Sequence, residues 1–404
     1  MHYNRRILLD YVSSTFFIST SVLPTLLLDF VEIKLIMFAV RFALTNWRPV
    51  VSSAHKRLIS DLIPKSGLVT STLCESFDKP LAIQRLPYCA PADDCVNVKV
   101  SAAGINFADI LQCKGLYQEK LMPPFTPGWE CVGQIAEIGA NIDSSALKVG
   151  DWVICMGNQG AFASHVSVQQ SSVLWSSRET KRDLDYQQGA ALLVTYGTAY
   201  LALKYSAAVK PGETVLITAA SGGVGLAAVE LATKVFGCKV IAAVSTADKL
   251  EVAMAHGAQA GVCYTGMDGK AFRGEVQRVG ASLGGVDVVV DMVGGELLEA
   301  GIRALNWEGR AVVVGFADGR IPKIPANILL LKNLSVRGVY WGAHRQKSPE
   351  RFRESVDEVA RLWMDGTLTP HVSHRVPLSD VNKAFELIGN RGTTGKVLLV
   401  PGHE

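Results

Sequence analysis

A chain of 404 residues, 49% hydrophobic and with 37 glycines, can bury a large core and make many tight turns, which excludes a single small domain. Its formal charge of +3 is spread along the sequence with no basic block, zinc-finger spacing or aromatic RNA platform, so no nucleic-acid partner is expected. The eight cysteines at 74, 89, 95, 113, 131, 155, 238 and 263 form no CxxC pair, which argues against a disulfide framework and a four-cysteine zinc site and implies a reducing compartment.

Residues 1–66 differ in character from the rest. Positions 11–28 carry no charge, but Ser13, Ser14, Thr15, Ser19, Thr20, Ser21, Pro24 and Thr25 make them a poor membrane span. From Met37 onward Arg41, Arg48, Lys56 and Arg57 alternate with apolar and serine residues, and no acid appears before Asp61. An Arg-rich, acid-poor extension of this kind predicts a transit peptide and a mitochondrial product, with cytoplasmic residence as the alternative.

A folded part is expected to begin at Gly67. Strand-like runs follow at 68–74, 96–100, 131–138, 152–156 and 162–168, punctuated by Gly and Pro, and they predict a barrel-like β domain over 67–190. From 191 strands and helices alternate. Strands are predicted at 213–218, 239–244, 261–263, 286–291 and 310–315, with helices at 226–236, 249–256, 270–280 and 296–305. That alternation is the pattern of a doubly wound α/β sheet over 191–331. The tail, 332–404, holds a strand at 334–339, a helix at 350–364 and a strand at 395–400, and part of it is expected to return to the first domain.

The stretch Ala219-Ala220-Ser221-Gly222-Gly223-Val224-Gly225 joins the first of these strands to an alanine-rich helix. In that setting Ser221, Gly222, Gly223, Val224 and Gly225 form a diphosphate site: glycines permit the turn, and free N–H groups at the helix start face the anion. Dinucleotide folds selective for NAD place an acid at the end of the second strand. Here Val244-Ser245-Thr246 stands there, with Lys249 one turn later, a pairing suited to a 2′-phosphate; NADPH is the predicted cofactor.

The segments Ala102-Ala103-Gly104-Ile105-Asn106-Phe107-Ala108-Asp109, Gly115-Leu116-Tyr117, Pro124-Phe125-Thr126-Pro127-Gly128, Val149-Gly150-Asp151, 219–225 and Thr394-Gly395-Lys396-Val397 together carry a family resemblance. From Gly67 to Pro401 the chain resembles the zinc-free, zeta-crystallin-like quinone oxidoreductase branch of the medium-chain dehydrogenase/reductase superfamily. The resemblance implies a GroES-like catalytic domain beside a Rossmann domain, and a homodimer. It implies hydride transfer from NADPH to a quinone or an α,β-unsaturated carbonyl. The alternatives are an enoyl thioester reductase and a non-catalytic NADPH-binding redox sensor.

Zinc alcohol dehydrogenases of that superfamily place a Cys where this chain has Asn106, and a His where it has Trp129. An amide and an indole do not replace thiolate and imidazole as ligands, so no metal is expected. By resemblance Asn106 lies beside the nicotinamide, where its amide can donate to the acceptor oxygen, and Tyr117 matches a proton-donating tyrosine. Leu111 stands where some members carry another tyrosine. Thr198, Val293 and Phe316 are implied to line the nicotinamide half, with Ser245, Lys249, Tyr264 and Arg391 at the adenosine phosphate end. Tyr340 and Trp341 either line the pocket or pack, with packing favoured.

Overall fold

The computed structural model describes residues 68–402 apart from positions 158 and 181. The expected transit extension lies outside the described residues. In chain order the first part comprises β1 (Leu68–Leu73), β2 (Ala82–Pro87), β3 (Cys95–Ile105), α1 (Phe107–Cys113), β4 (Glu130–Ile138), β5 (Trp152–Met156), β6 (His165–Gln169) and β7 (Val173–Ser176). Next come α2 (Leu193–Leu201), β8 (Thr214–Thr218), α3 (Gly223–Lys234), β9 (Lys239–Val244), α4 (Ala247–Ala255), β10 (Ala260–Cys263), α5 (Gly269–Gly280) and β11 (Val286–Asp291). The chain continues through α6 (Gly295–Ala304), β12 (Leu305–Val313), α7 (Ala326–Lys332), β13 (Ser335–Gly338), α8 (Trp341–Lys347), α9 (Pro349–Met364), β14 (Val372–Pro377), α10 (Val381–Gly389) and β15 (Lys396–Val400).

Six strands form an all-parallel sheet in the order β10-β9-β8-β11-β12-β13. Its central strands are apolar at nearly every position because helices cover both faces. Val215 and Ile217 of β8 face one core with Leu226, Ala227 and Leu231 of α3, while Leu216 faces the other with Phe272, Val276, Leu298 and Ile302. This is the doubly wound arrangement read from the alternating pattern.

The second sheet has the order β14-β15-β3-β4-β5-β7, with β6 also on β3, and is antiparallel except for β14 on β15. Val96, Val98, Val100, Cys131, Ile135, Val153 and Phe162 fill its core. The tail is therefore divided. β13 extends the parallel sheet past position 331, and β14 and β15 lie in the antiparallel one. Helix α1 had no counterpart in the strand-only reading of 67–190: its seven residues are too few to show a period. No helix among the described residues is long and apolar enough to cross a membrane.

Candidate active site

A cleft of about 800 Å³ runs along the carboxyl ends of the parallel strands, where sheet order reverses between β9-β8 and β11-β12. Ser221, Gly222, Gly223, Val224 and Gly225 follow β8, Ser245 follows β9, Tyr264 follows β10, Val293 follows β11 and Phe316 follows β12. Thr198 of α2, Arg391 after α10, and Asn106 and Tyr117 from the antiparallel side complete the lining. Every predicted catalytic and cofactor-binding residue, Lys249 included, thus borders one cavity.

The glycine turn is built for close approach. Gly222 caps α3 with extended backbone (φ −79°, ψ 176°) and no side-chain cap, so the first-turn N–H groups are open to a ligand. A Cβ on Gly225 would lie 2.1 Å from the Ala219 carbonyl oxygen, which fixes how tightly α3 packs on β8. One on Gly223 would sit 3.1 Å from the Thr195 methyl, filling the space above the helix end. Left-handed backbone falls on Ala219 (φ 46°), one residue before the position of the usual first glycine. These features fit a diphosphate.

At the end of the cleft bordered by Ser245 and Tyr264, Lys249 Nζ donates to the Arg391 carbonyl, and Arg391 itself is left-handed (φ 55°). Burial, and secondarily the Arg391 charge, depress the Lys249 ammonium below its ordinary pKa. Two like charges held together favour an anion between them. Asp318, 4.0 Å from the Arg391 guanidinium, also pairs with Arg320 at 2.7 Å. At the end of β11, buried Asp291 accepts from Thr218 Oγ1 and the Gly294 N–H, both at 2.6 Å, and so shapes the turn that carries Val293.

The opposite end holds a buried polar network that sequence reasoning recognised only in part. Lys396, the first residue of β15, donates from Nζ to Asn106 Oδ1 and to Glu130 Oε1, each at 2.6 Å. The Lys396 side chain is 4% exposed and that of Glu130 0%. Asn106 Nδ2 donates to Glu130 Oε1 at 3.0 Å and to the Gly104 carbonyl at 3.4 Å, and its backbone N–H donates to Asp109 Oδ2 at 2.7 Å. Glu130 Oε2 accepts from the Val194 N–H at 3.2 Å. Both amide hydrogens of Asn106 are therefore engaged, contrary to the expectation of a free donor aimed at the acceptor. Burial raises the Asp109 carboxyl to about 7, against the lowering pull of the Asn106 N–H and Lys396. Asp109 Oδ1 has no partner. The signal for Lys396 was a lone cation at the head of the apolar strand Lys396–Val400.

Trp129 donates from Nε1 to Gln112 Oε1 at 3.1 Å, and its ring meets Tyr117 edge-on with centroids 5.1 Å apart. Leu111 adds an apolar wall. Burial lifts the Tyr117 phenol above its ordinary range, and the neighbouring Tyr340 opposes the rise. Tyr340 is 42% exposed, borders the cleft and donates to Glu119 Oε1 at 2.5 Å, the pocket-lining alternative of the two expected. Trp341 packs while also bordering the cleft: it is 3% exposed, lies tilted against Phe352 and donates to Ser355 Oγ at 2.9 Å.

Two family profiles match the chain: the alcohol dehydrogenase GroES-like domain over residues 92–177 and the zinc-binding dehydrogenase domain over 223–361. Quinone oxidoreductase-like protein 2 of Bos taurus is 42% identical over 332 residues, covering 81% of this chain and 91% of its own. The quinone oxidoreductase of Homo sapiens is 30% identical over 314 residues, covering 77% and 90% respectively. The crystal structure of Escherichia coli quinone oxidoreductase complexed with NADPH superposes with a TM-score of 0.72 at 28% identity, over 82% of this chain and all (100%) of that one. The chain belongs to the quinone oxidoreductase-like family of the medium-chain dehydrogenase/reductase superfamily.

Proposed function

We propose that this protein is an NADPH-dependent oxidoreductase that reduces a quinone or an α,β-unsaturated carbonyl without a metal ion. The observation that carries the reading is one cleft joining a capless helix N-terminus, a Lys249–Arg391 cation pair and the Asn106–Tyr117 end. NADPH, named as bound in the E. coli relative, would lie on Ser221–Gly225 with its 2′-phosphate toward Ser245, Lys249 and Arg391, and supplies a hydride there.

The residues of the chain do the rest. Thr198, Val293 and Phe316 border the nicotinamide half, and Leu111 and Trp129 keep the acceptor end apolar. Tyr117 serves as the proton donor, its proton held by burial until negative charge develops on the acceptor. Asn106 and Trp129 supply neither thiolate nor imidazole, and the Asn106 amide oxygen already accepts from Lys396, which supports the metal-free reading. Stopped-flow loss of NADPH absorbance with a panel of quinones and enones tests the proposal. Binding without turnover of any acceptor would refute it in favour of a sensor, and a crotonyl thioester outpacing all quinones would favour the enoyl reductase.

Two further expectations belong to this reading. Dimerisation through the edge strand β13 is supported by exposed Trp307, Leu330 and Leu331 nearby, and sedimentation as a monomer would refute it. Mitochondrial import directed by residues 37–66 is checked by fusing them to a fluorescent reporter.

A further inference from the structure

We infer that the acceptor taken by this cleft is uncharged and carries a hydrocarbon chain, which leaves the cleft along an apolar strip on α1. The inference rests on the reductase reading above and names its substrate class. Phe107 and Leu111 stand four residues apart on α1, so they share one helix face, and both border the cleft. The strip continues past the helix end. The Gly115 N–H donates to the Gln112 carbonyl at 3.0 Å and the Leu116 N–H to the Leu111 carbonyl at 2.8 Å, with Gly115 left-handed (φ 66°). This pair of bonds is a Schellman turn, a motif that brings the side chain after the glycine against one on the last helical turn, here Leu116 against Leu111. Leu111 is half-buried, Phe107 is 42% exposed and Leu116 is 69% exposed, so the strip runs from the cleft wall out to solvent.

A single exposed apolar side chain is ordinary on a protein surface, but an exposed apolar strip continuous with a ligand cleft is where apolar ligand surface is covered. Trp129, tied to α1 through Gln112 and set edge-on to Tyr117, keeps the inner end of the strip apolar and aromatic. Charge points the same way. Among the described residues that border the cleft, only Lys249, Arg391 and Lys396 are charged. Lys249 and Arg391 meet at the end bordered by Ser245, and the Lys396 ammonium is engaged by Asn106 and Glu130. An anionic group on the acceptor would lose its water without gaining a cation, whereas an alkyl chain gains by leaving water.

The test offers the full chain, with NADPH, a series of 1,4-benzoquinones from the bare ring to a pentyl side chain and reads initial rates. Each methylene laid on one side of the strip gains about twofold, half in free energy of the fourfold for complete burial, so kcat/KM rises about 30-fold along the series. The gain falls in KM, because the chain is held alike in ground and transition states. A sulfonate on the ring lowers kcat/KM about tenfold or more. Leu116→Ser lowers kcat/KM about fivefold more for the pentyl acceptor than for the bare ring, while Leu116→Met keeps the slope. A parallel series of 2-alkenals of increasing length shows whether a quinone or an enone carries the chain. Equal kcat/KM along both series would overturn the strip and leave the reductase reading standing. If no acceptor is reduced, redox-inert 1,4-dimethoxybenzenes with the same chains are titrated against the NADPH-loaded protein by tryptophan fluorescence, and an affinity independent of chain length overturns the strip. Altered sedimentation of Leu116→Ser with an unaltered slope would make the strip a surface for a second copy and overturn the inference as well.

Discussion

Replacing Lys396 by Met tests the buried network most directly. Nζ lies 2.6 Å from Glu130 Oε1, and the two side chains are 4% and 0% exposed. At an effective dielectric of about 20 that separation corresponds to an attraction of about 6 kcal/mol, while desolvating each ion costs several, so the intact pair contributes little net. Removing one partner is different. Glu130 would keep only the Asn106 amide and the Val194 N–H, and a buried carboxylate stripped of its counter-ion costs about 3–5 kcal/mol. Lys396→Met is expected to lower unfolding stability by that amount in urea titration monitored by tryptophan fluorescence. Lys396→Met/Glu130→Gln removes both charges and is expected to recover most of the loss. A single-variant cost under about 1 kcal/mol, or additive costs in the double variant, would refute the view of one coupled ion pair.

Gly225→Ala drives a methyl into the Ala219 carbonyl at 2.1 Å and is expected to cost about 2–3 kcal/mol and abolish NADPH binding; Gly274→Ala, in α5 with nothing within 4 Å, is expected to stabilise by about 0.5–1 kcal/mol, and thermal melts of both provide the check. Lys249→Glu and Arg391→Glu put a carboxylate where a 2′-phosphate is expected, so each is expected to weaken NADPH at least tenfold while changing NADH much less, read by fluorescence titration of both nucleotides. Asp109, raised to about 7 from an ordinary 3.8, favours folding when protonated. Its contribution is present in full below about pH 4 and is lost as pH rises through about 7, roughly 4 kcal/mol at most. Asp109→Asn is expected to flatten the pH dependence of stability across that window, and parallel urea curves for the two proteins would refute the assignment.

The cofactor half was legible because its signals are local. Strand β11 (Val286–Asp291) and strand β9 (Lys239–Val244) are short apolar runs bounded by breakers, and the glycine turn between β8 and α3 declares itself by context. What the sequence hid depends on distance along the chain. Lys396 lies 290 positions from Asn106, and Tyr340 lies 221 from Glu119; no periodicity reports such a pairing. Tyr340 and Trp341 looked alike as adjacent aromatics and both border the cleft, yet Trp341 is 3% exposed and bonded to Ser355, whereas Tyr340 is 42% exposed and bonded to Glu119. Short or half-exposed elements were the other loss: β7 and α1 have four and seven residues, and β2 alternates half-buried and exposed positions instead of forming an apolar run.

Residues 395 and 396 tie the two ends of the cleft together. The Gly395 N–H donates to the Ser221 carbonyl at 2.7 Å, and a Gly222–Gly395 bridge joins the glycine turn to the start of β15. One residue later Lys396 holds Asn106 and Glu130. Gly395 is left-handed (φ 56°), and a Cβ there would meet the His371 carbonyl at 2.3 Å, so this step in the chain has no freedom to adjust. A Cβ on Gly223 would touch the Thr195 methyl at 3.1 Å and approach the Lys396 side chain at 3.8 Å. Thr195 cannot easily retreat, because its hydroxyl donates to the Ala191 carbonyl at 2.6 Å. A disturbance of the glycine turn therefore reaches the Lys396–Asn106–Glu130 network through packed atoms within two residues of β15. The geometry of the glycine turn and the geometry that holds Asn106 are set by the same few contacts.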